Sequence, residues 1–138
     1  MEKEKNIETK EKKKIVIADD DVDFLLLLKT IIQKMKHEVI TAESQEEAEK
    51  ILETMRPDLA IYDLMMENED SGFILAYKTK KKYPDVPVMI ISGVTSHTGI
   101  SFSLGEESER KWIKADVFLS KGIRPDQLRR EINRLLKI

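Results

Sequence analysis

Short apolar runs alternate with amphipathic stretches along this chain, and the alternation predicts a parallel sheet whose strands are joined by helices. The apolar runs are continuous, which is typical of strands that are buried on both faces. The predicted strands cover residues 14–18, 38–42, 59–63, 86–92 and 115–120. The predicted helices cover residues 23–35, 45–55, 72–82, 106–113 and 125–136.

This order of elements predicts the fold class. Right-handed crossover connections place helices on both faces of a five-stranded parallel sheet. We therefore expect an α/β, doubly wound, flavodoxin-like fold with strand order 2-1-3-4-5. In that order the first and third strands are neighbours, and sheets of this type form their ligand crevice at the carboxyl ends of those strands.

Composition and charge restrict the class of protein. The chain of 138 residues is long enough for one core, and it has no cysteine for a disulfide or a thiolate metal site. The net charge of −2 and the dispersed basic residues give no support for nucleic-acid binding. Because no apolar run approaches a membrane span and the start of the chain is not a secretion signal, we expect a cytoplasmic protein without a membrane partner. We expect one domain over residues 14–138, after a charged, disordered lead-in over residues 1–13.

Aspartates follow two of the predicted strands. Asp19 and Asp20 come after the first strand, and Asp63 ends the third. Since neighbouring parallel strands end at one edge, the three carboxylates should converge there, and they would repel one another unless a cation lies among them. Hard oxygen ligands in small number favour Mg²⁺. The alternative is that these aspartates only cap the following helices, which leaves the second residue of the pair without a role.

Ser92 and Lys121 stand at the ends of the fourth and fifth predicted strands. Each could be an ordinary residue, Ser92 in a turn and Lys121 as a solvated charge. Together they add a hydroxyl donor and an ammonium to the edge that carries the carboxylates. Phosphoryl transfer requires an oxygen nucleophile, a metal, and donors or cations for the phosphoryl oxygens. The pattern therefore indicates phosphoryl-transfer chemistry.

In this arrangement the chain resembles the receiver domain of bacterial two-component response regulators, from about residue 14 to residue 136. That family has an acidic pair after the first strand, a phosphorylated aspartate after the third, Ser or Thr after the fourth and Lys after the fifth. The resemblance implies that Asp63 accepts a phosphoryl group from a sensor histidine kinase or a phosphotransfer protein. The domain would then be a phosphoacceptor switch, which catalyses only its own phosphorylation and dephosphorylation.

The resemblance also implies a ligand set for the metal. Mg²⁺ would be held by Asp20, Asp63 and the backbone carbonyl of Met65, and Asp19 would bind it mostly through water. Two apolar residues, Met65 and Val94, lie where the family controls access of the hydrolytic water. We therefore expect a long-lived phosphoaspartate.

The switch residues follow from the same resemblance. Lys121 would pair with Asp63 and then with the phosphoryl group, Ser92 would move to donate to a phosphoryl oxygen, and Phe118 would repack inward. A downstream protein would bind the face made by the helix within residues 93–114, the fifth strand and the last helix.

Three departures from the family pattern stand out. Glu67 occupies a place where the family usually has proline, and the loop that follows looks one residue longer. Gly122 replaces the proline whose cis bond normally helps to aim the lysine. Ser92 and Lys121 are 29 positions apart (121 − 92), about two helical turns more than the family norm. We expect the extra length to reshape the helix within residues 93–114.

Two other functions fit parts of the pattern. A receiver-like interaction module without regulated phosphorylation would need none of these residues, so their presence argues against it. A Mg²⁺-dependent phosphatase of the haloacid-dehalogenase type also uses an aspartate at a strand end. Its Asp-x-Asp-x-Thr or Val motif fails at Asp23 in one frame and at Leu25 in the other.

Overall fold

The computed structural model describes residues 12–93 and 114–138. All five predicted strands are found, with β4 and β5 beginning two residues later than predicted. The predicted helix over residues 106–113 and most of the predicted lead-in lie outside the described residues. The elements, in chain order, are β1 (Lys14–Ala18), α1 (Val22–Lys34), β2 (Glu38–Ala42), α2 (Gln45–Thr54), β3 (Leu59–Asp63), α3 (Ser71–Lys82), β4 (Val88–Ser92), β5 (Val117–Ser120) and α4 (Pro125–Leu136).

The five strands form one parallel sheet in the order β2-β1-β3-β4-β5. The predicted doubly wound architecture is thus confirmed. At the carboxyl end of the central pair, Ala18 of β1 lies opposite Tyr62 of β3. The residues that follow these two therefore leave the sheet side by side, at the predicted switch point.

Alternate residues of the sheet pack into two separate hydrophobic cores, one on each face. Ile15 and Ile17 face α1 and α4, whereas Val16 and Ala18 face α2 and α3. Because both faces of the central strands are covered, these strands read as continuous apolar runs in the sequence. The helical residues that complete the first core include Leu25, Leu28, Ile32, Leu128 and Ile132, and those of the second include Ala48, Leu52, Phe73, Leu75 and Ala76.

The inner face of α3 differs from the prediction at one residue. The apolar pattern of residues 72–82 predicts that Tyr77 faces inward with Phe73 and Ala76, but its side chain is 41% exposed. Thr79 is buried instead, and its hydroxyl lies 2.6 Å from the hydroxyl of the fully buried Tyr62. A buried phenol requires a hydrogen-bond partner, so the side of α3 that offers Thr79 turns toward the sheet and leaves Tyr77 at the rim.

The start of α2 matches its sequence signature. Ser44 accepts a hydrogen bond from the backbone N–H of Glu47 at 3.1 Å, and the Glu47 carboxylate reaches back to the N–H of Glu43 at 2.6 Å. The first bond satisfies a donor that the helix start leaves open, and the second holds the residue before the cap.

Within the residues that the structure describes, no helix is long and apolar enough to cross a membrane.

Candidate functional site

The three predicted acidic residues meet at the carboxyl edge of the sheet. Asp19 and Asp63 are buried, with only 2% and 7% of their surface exposed, while Asp20 is exposed. One carboxylate oxygen from each of the three lies within 4.8 Å of the others. Residues 44 positions apart in the sequence thus form one cluster of hard oxygen donors, which has the chemistry that a small divalent cation requires.

Lys121 supplies the positive charge of the cluster. Its Nζ lies 3.0 Å and 3.3 Å from the two carboxylate oxygens of Asp19 and 3.6 Å from Oδ1 of Asp63. The backbone N–H of Lys121 donates to the carbonyl of Ser92 at 3.0 Å, which continues the pairing of β4 with β5. All peptide bonds in the described residues are trans. Lys121 therefore contacts both carboxylates without the proline that usually follows it.

The β1–α1 loop holds the first acidic residues through local hydrogen bonds. Oδ1 of Asp19 accepts from the N–H of Asp21 at 2.9 Å. Oδ1 of Asp21 accepts from the N–H groups of Asp23 and Phe24, at 3.1 Å and 3.2 Å, and so caps α1. Since Asp21 performs this capping, the alternative that Asp19 and Asp20 serve only as helix caps does not describe the site.

The β3–α3 loop holds Asp63 through a close approach of two backbones. The N–H of Gly72 donates to the carbonyl of Leu64 at 2.8 Å. A Cβ at Gly72 would lie 2.6 Å from the carbonyl oxygen of Asp63 and 2.8 Å from the Cα of Leu64. These are distances that real Cβ atoms do not show, so α3 can begin this close to the end of β3 only with glycine at this position.

Glu67 ties the same loop to a different helix. Its carboxylate accepts from the N–H groups of Gln45 and Glu46, at 2.7 Å and 3.1 Å, at the amino terminus of α2. Slight burial opposes ionisation, but these hydrogen bonds outweigh it and lower the pKa of Glu67. The residue that replaces the usual proline thus acts as a charged cap for α2.

The acidic cluster is short of positive charge. Burial, followed by repulsion from Asp19, raises the pKa of Asp63 to about 7, although the ammonium of Lys121 acts in the opposite direction. Burial also opposes the charge of Lys121, but its hydrogen bond with Asp19 and the negative charge of Asp63 outweigh this and raise its pKa. A second cation would relieve the remaining repulsion, and the donor set therefore fits Mg²⁺.

Three other predicted site residues belong to the described part of the chain. Ser92 is buried at the end of β4. The half-buried ring of Phe118 in β5 packs on Phe73 of α3, with the ring centroids 5.8 Å apart. The side chain of Met65 is 43% exposed. Val94 lies outside the described residues. The roles assigned to these residues stay predictions.

Three residues that support the site were not identified from the sequence. Gly72 acts through the backbone of Asp63 and Leu64, and Glu67, which the sequence marks only as a departure from the family pattern, acts through the start of α2. The ring of Phe24 lies 4.8 Å from the Nζ of Lys121. The spacing of apolar residues predicts that Phe24 packs inward, and it cannot predict that a lysine nearly one hundred residues later reaches the same ring.

Relatives with similar sequences are transcriptional and response regulators. The probable transcriptional regulator ycf27 of Cyanophora paradoxa is 29% identical over 129 residues, which cover 91% of this chain and 49% of that protein. Response regulator GtcR of Aneurinibacillus migulanus is 33% identical over 113 residues, which cover 82% of this chain and 43% of that protein. The chain spans about half the length of the curated relatives that it matches.

Solved structures with the same fold are receiver proteins, and the family model agrees with them. The CheY-like receiver domain protein from Methanospirillum hungatei JF-1 has a TM-score of 0.77 at 26% identity, covering 91% of this chain and 94% of that one. TrrA from Thermotoga maritima, solved in complex with Mg²⁺-BeF, has a TM-score of 0.73 at 27% identity, covering 89% and 98%. The model of the response regulator receiver domain matches residues 15–133, and the chain therefore belongs to the family of response regulator receiver domains.

Proposed function

We propose that this receiver domain is a phosphoacceptor switch and that Asp63 takes the phosphoryl group in a Mg²⁺-dependent reaction. The donor would be a phosphohistidine on a sensor histidine kinase or a phosphotransfer protein. The observation that carries this proposal is the convergence of Asp19, Asp20 and Lys121 on Asp63, at the end of the central strand. Such a cluster combines an oxygen nucleophile with groups that stabilise negative charge.

The metal would be held by Asp20, Asp63 and the backbone carbonyl of Met65. Asp19 would bind it through water, because its carboxylate already accepts hydrogen bonds from Asp21 and Lys121. When bound, Mg²⁺ neutralises part of the charge on the carboxylates and on the incoming phosphoryl oxygens. The raised pKa of Asp63 supports this assignment, because a cation would favour the ionised form that acts as nucleophile.

In the transfer step an oxygen of Asp63 attacks phosphorus, and a new O–P bond forms while the P–N bond to the donor histidine breaks. The released imidazole takes a proton from water. Lys121, now 3.6 Å from Asp63, would move to a phosphoryl oxygen, and Ser92 would donate its hydroxyl to another. Phosphorylation adds about −1.5 to −2 charges and three acceptor oxygens, so these donors gain a strong new partner.

The output of the switch would be a changed protein surface. We propose that Phe118 repacks when Ser92 moves, and that the downstream partner binds the face that includes β5 and α4. The ring of Phe118 is only half-buried and packs on Phe73 at the edge of the second core. This partial burial supports a change in its position.

Upstream, the apolar side chains of Val22, Leu26 and Leu27 lie exposed on α1. That helix begins next to the acidic cluster, which supports docking of the phosphodonor protein on it.

The direct test is intact-mass measurement after incubation with acetyl phosphate and Mg²⁺. Wild type should gain the mass of one phosphoryl group. Asp63→Ala and the isosteric Asp63→Asn should gain none, and wild type in excess chelator should gain little. An unmodified wild type, or modification that persists in Asp63→Asn, would contradict the proposal. The first of these outcomes would favour an interaction module without regulated phosphorylation.

The lifetime of the phosphoaspartate is a separate proposal. Met65 carries an exposed thioether, which cannot orient a water molecule for attack on phosphorus as an amide or a carboxylate could. With Val94, which is also apolar, it supports a phosphorylated state that lasts many minutes or longer. Release of phosphate from the labelled protein measures this lifetime, and decay within seconds would contradict it.

A further inference from the structure

The ammonium of Lys121 contacts an aromatic ring as well as carboxylates. Its Nζ lies 4.8 Å from the centroid of the Phe24 ring, within the range of a cation–π contact, and 3.0 Å from Asp19. Its Cδ is the nearest atom to the open side of Gly93, at a distance of 3.7 Å from where a Cβ would stand. The charged end of the lysine thus contacts both a carboxylate and an aromatic ring.

This support matters because a lysine side chain can adopt several positions even on a backbone that is hydrogen-bonded. β5 is a short strand of four residues at the edge of the sheet, and Gly122 follows the lysine directly. A lysine side chain is flexible, and its point charge does not fix its own direction as an arginine fork does. The lysine would therefore occupy several positions if the acidic cluster alone restrained it.

Phe24 is itself held firmly. Its backbone N–H donates to the capping carboxylate of Asp21, so the residue lies in the first turn of α1. Its half-buried ring packs against the first core. A side chain on a capped helix start that is packed on one side is a rigid support for a mobile group.

We propose that Phe24 is a positioning residue, whose ring face holds the ammonium of Lys121 at the acidic edge before the phosphoryl group arrives. This inference rests on the proposed function, and it adds a residue that the sequence assigned only to packing. In this role Phe24 contacts neither the metal nor the phosphoryl group. It should therefore affect the rate of phosphoryl transfer and leave Mg²⁺ binding unchanged.

Three replacements separate the electrostatic contribution of the ring from its volume. Phe24→Leu keeps an apolar side chain but removes the ring, whereas Phe24→Tyr keeps the ring face. Site-specific incorporation of 3,4,5-trifluorophenylalanine keeps the shape and removes most of the negative charge from the ring face. At saturating Mg²⁺, we expect the rate of Asp63 phosphorylation by acetyl phosphate to fall about two- to fivefold with Leu and with the fluorinated ring. Tyr should restore the wild-type rate, and the Mg²⁺ affinity of all variants should equal that of wild type.

Equal rates for the natural and the fluorinated ring would overturn the inference, because packing alone would then explain the position of Phe24. An equal loss of Mg²⁺ affinity in each variant would overturn it as well, since the damage would then lie in the whole site.

A double-mutant cycle in urea unfolding tests the contact without any phosphorylation. Phe24→Leu should raise the unfolding constant about two- to fivefold more in the presence of Lys121 than in a Lys121→Met background. A missing coupling would overturn the inference even in a protein that is phosphorylated. If instead the coupling is found but wild type is never modified at Asp63, the phosphoacceptor function fails and the contact stands.

Discussion

The loop that follows β1 has side-chain hydrogen bonds with its own backbone, whereas the loop that follows Asp63 depends on contacts with α2 and α3. In the β1–α1 loop, the carboxylates of Asp19 and Asp21 accept backbone N–H groups at most three residues away. The β3–α3 loop depends on the fit of α3 against β3 and on the hydrogen bonds of Glu67 with the start of α2. The first loop therefore has local support in addition to the bonds of Asp19 with Ala42 and Lys121, and the second depends more on the assembled fold.

This difference has a functional consequence. The local hydrogen bonds of the first loop remain as long as Asp21 caps α1. The loop that follows Asp63 keeps its arrangement only if α2 and α3 hold their places. Changes far from Asp63 should therefore disturb the phosphoacceptor more than comparable changes disturb Asp19.

The largest effect is expected from Gly72→Ala. The added Cβ would meet the backbone of Asp63 and Leu64 at less than 3.0 Å, so α3 or the end of β3 must shift. We expect the free energy of unfolding to fall by about 2 to 3 kcal/mol, and Mg²⁺ affinity to fall with it. Urea unfolding and calorimetric Mg²⁺ titration measure the two effects.

Gly122→Ala is the matched control for that change. Its added Cβ would have Ser120 Oγ as its nearest neighbour, at an ordinary contact distance of 3.6 Å. It should cost less than about 0.5 kcal/mol. Similar costs for the two variants would show that the close approach at Gly72 does not fix the β3–α3 loop.

The next effect, smaller when it is taken for each pH unit, concerns the pH dependence of stability in the absence of metal. The pKa of Asp63 is raised from 3.8 to about 7 in the folded protein, so the folded state keeps a proton that the unfolded chain has released. Its contribution to stability is complete below the unfolded pKa, falls as pH rises toward 7, and is lost above it. Relative to Asp63→Asn, wild type should lose up to about 1.4 kcal/mol for each pH unit in that window. Urea unfolding in chelator measures this difference, and a constant difference from about pH 5 to pH 7 would contradict the raised pKa.

Asp21→Ala tests the local loop. It removes the cap of α1 and should cost about 1 kcal/mol, as Ser44→Ala should at the start of α2. Asp21→Asn keeps an accepting oxygen and should stay within a few tenths of a kcal/mol of wild type. Thermal or urea unfolding measures each variant. If Asp21→Asn costs as much as Asp21→Ala, the cap does not hold this loop through its hydrogen bonds.

Glu67→Gln should have the smallest effect on stability. The N–H groups of Gln45 and Glu46 each bond to a different carboxylate oxygen, so the amide keeps one of these exposed hydrogen bonds and loses the other together with the charge, at a cost of about 0.5 kcal/mol. Because Met65 lies on the same loop, Mg²⁺ affinity should fall in Glu67→Gln and more in Glu67→Ala. Calorimetry measures the Mg²⁺ affinity. An unchanged affinity in both variants would show that the hydrogen bonds of Glu67 do not affect the metal site.

Much of the fold follows from local patterns. Ile15 to Ala18 and Leu59 to Tyr62 read as buried strands because both of their faces are covered, and the capping residues at Ser44 mark a helix start without tertiary information. Tyr77 and Thr79 show where this reasoning stops. The apolar pattern favours Tyr77 as the inner residue, but the buried hydroxyl of Tyr62 selects Thr79.

The candidate site divides in the same way. The carboxylates and Lys121 could be located from the sequence, because parallel strands that end together bring their next residues together. The groups that hold them could not. Each of these groups acts through a partner elsewhere in the chain, from 9 positions away (72 − 63) for Gly72 to 97 (121 − 24) for Phe24, with the hydrogen bonds of Glu67 between these limits. The local pattern of residue types does not identify such partners.

The ion pair between Lys121 and Asp19 joins residues 102 positions apart. In a chain that is made from its amino terminus, all three aspartates emerge well before the lysine that balances them. The acidic edge can therefore be completed only after β5 has been added to the sheet, as one of the most non-local contacts of the fold. Formation of this pair should thus report on the last stage of folding, and a shortened chain that ends before β5 should retain uncompensated negative charge at its centre.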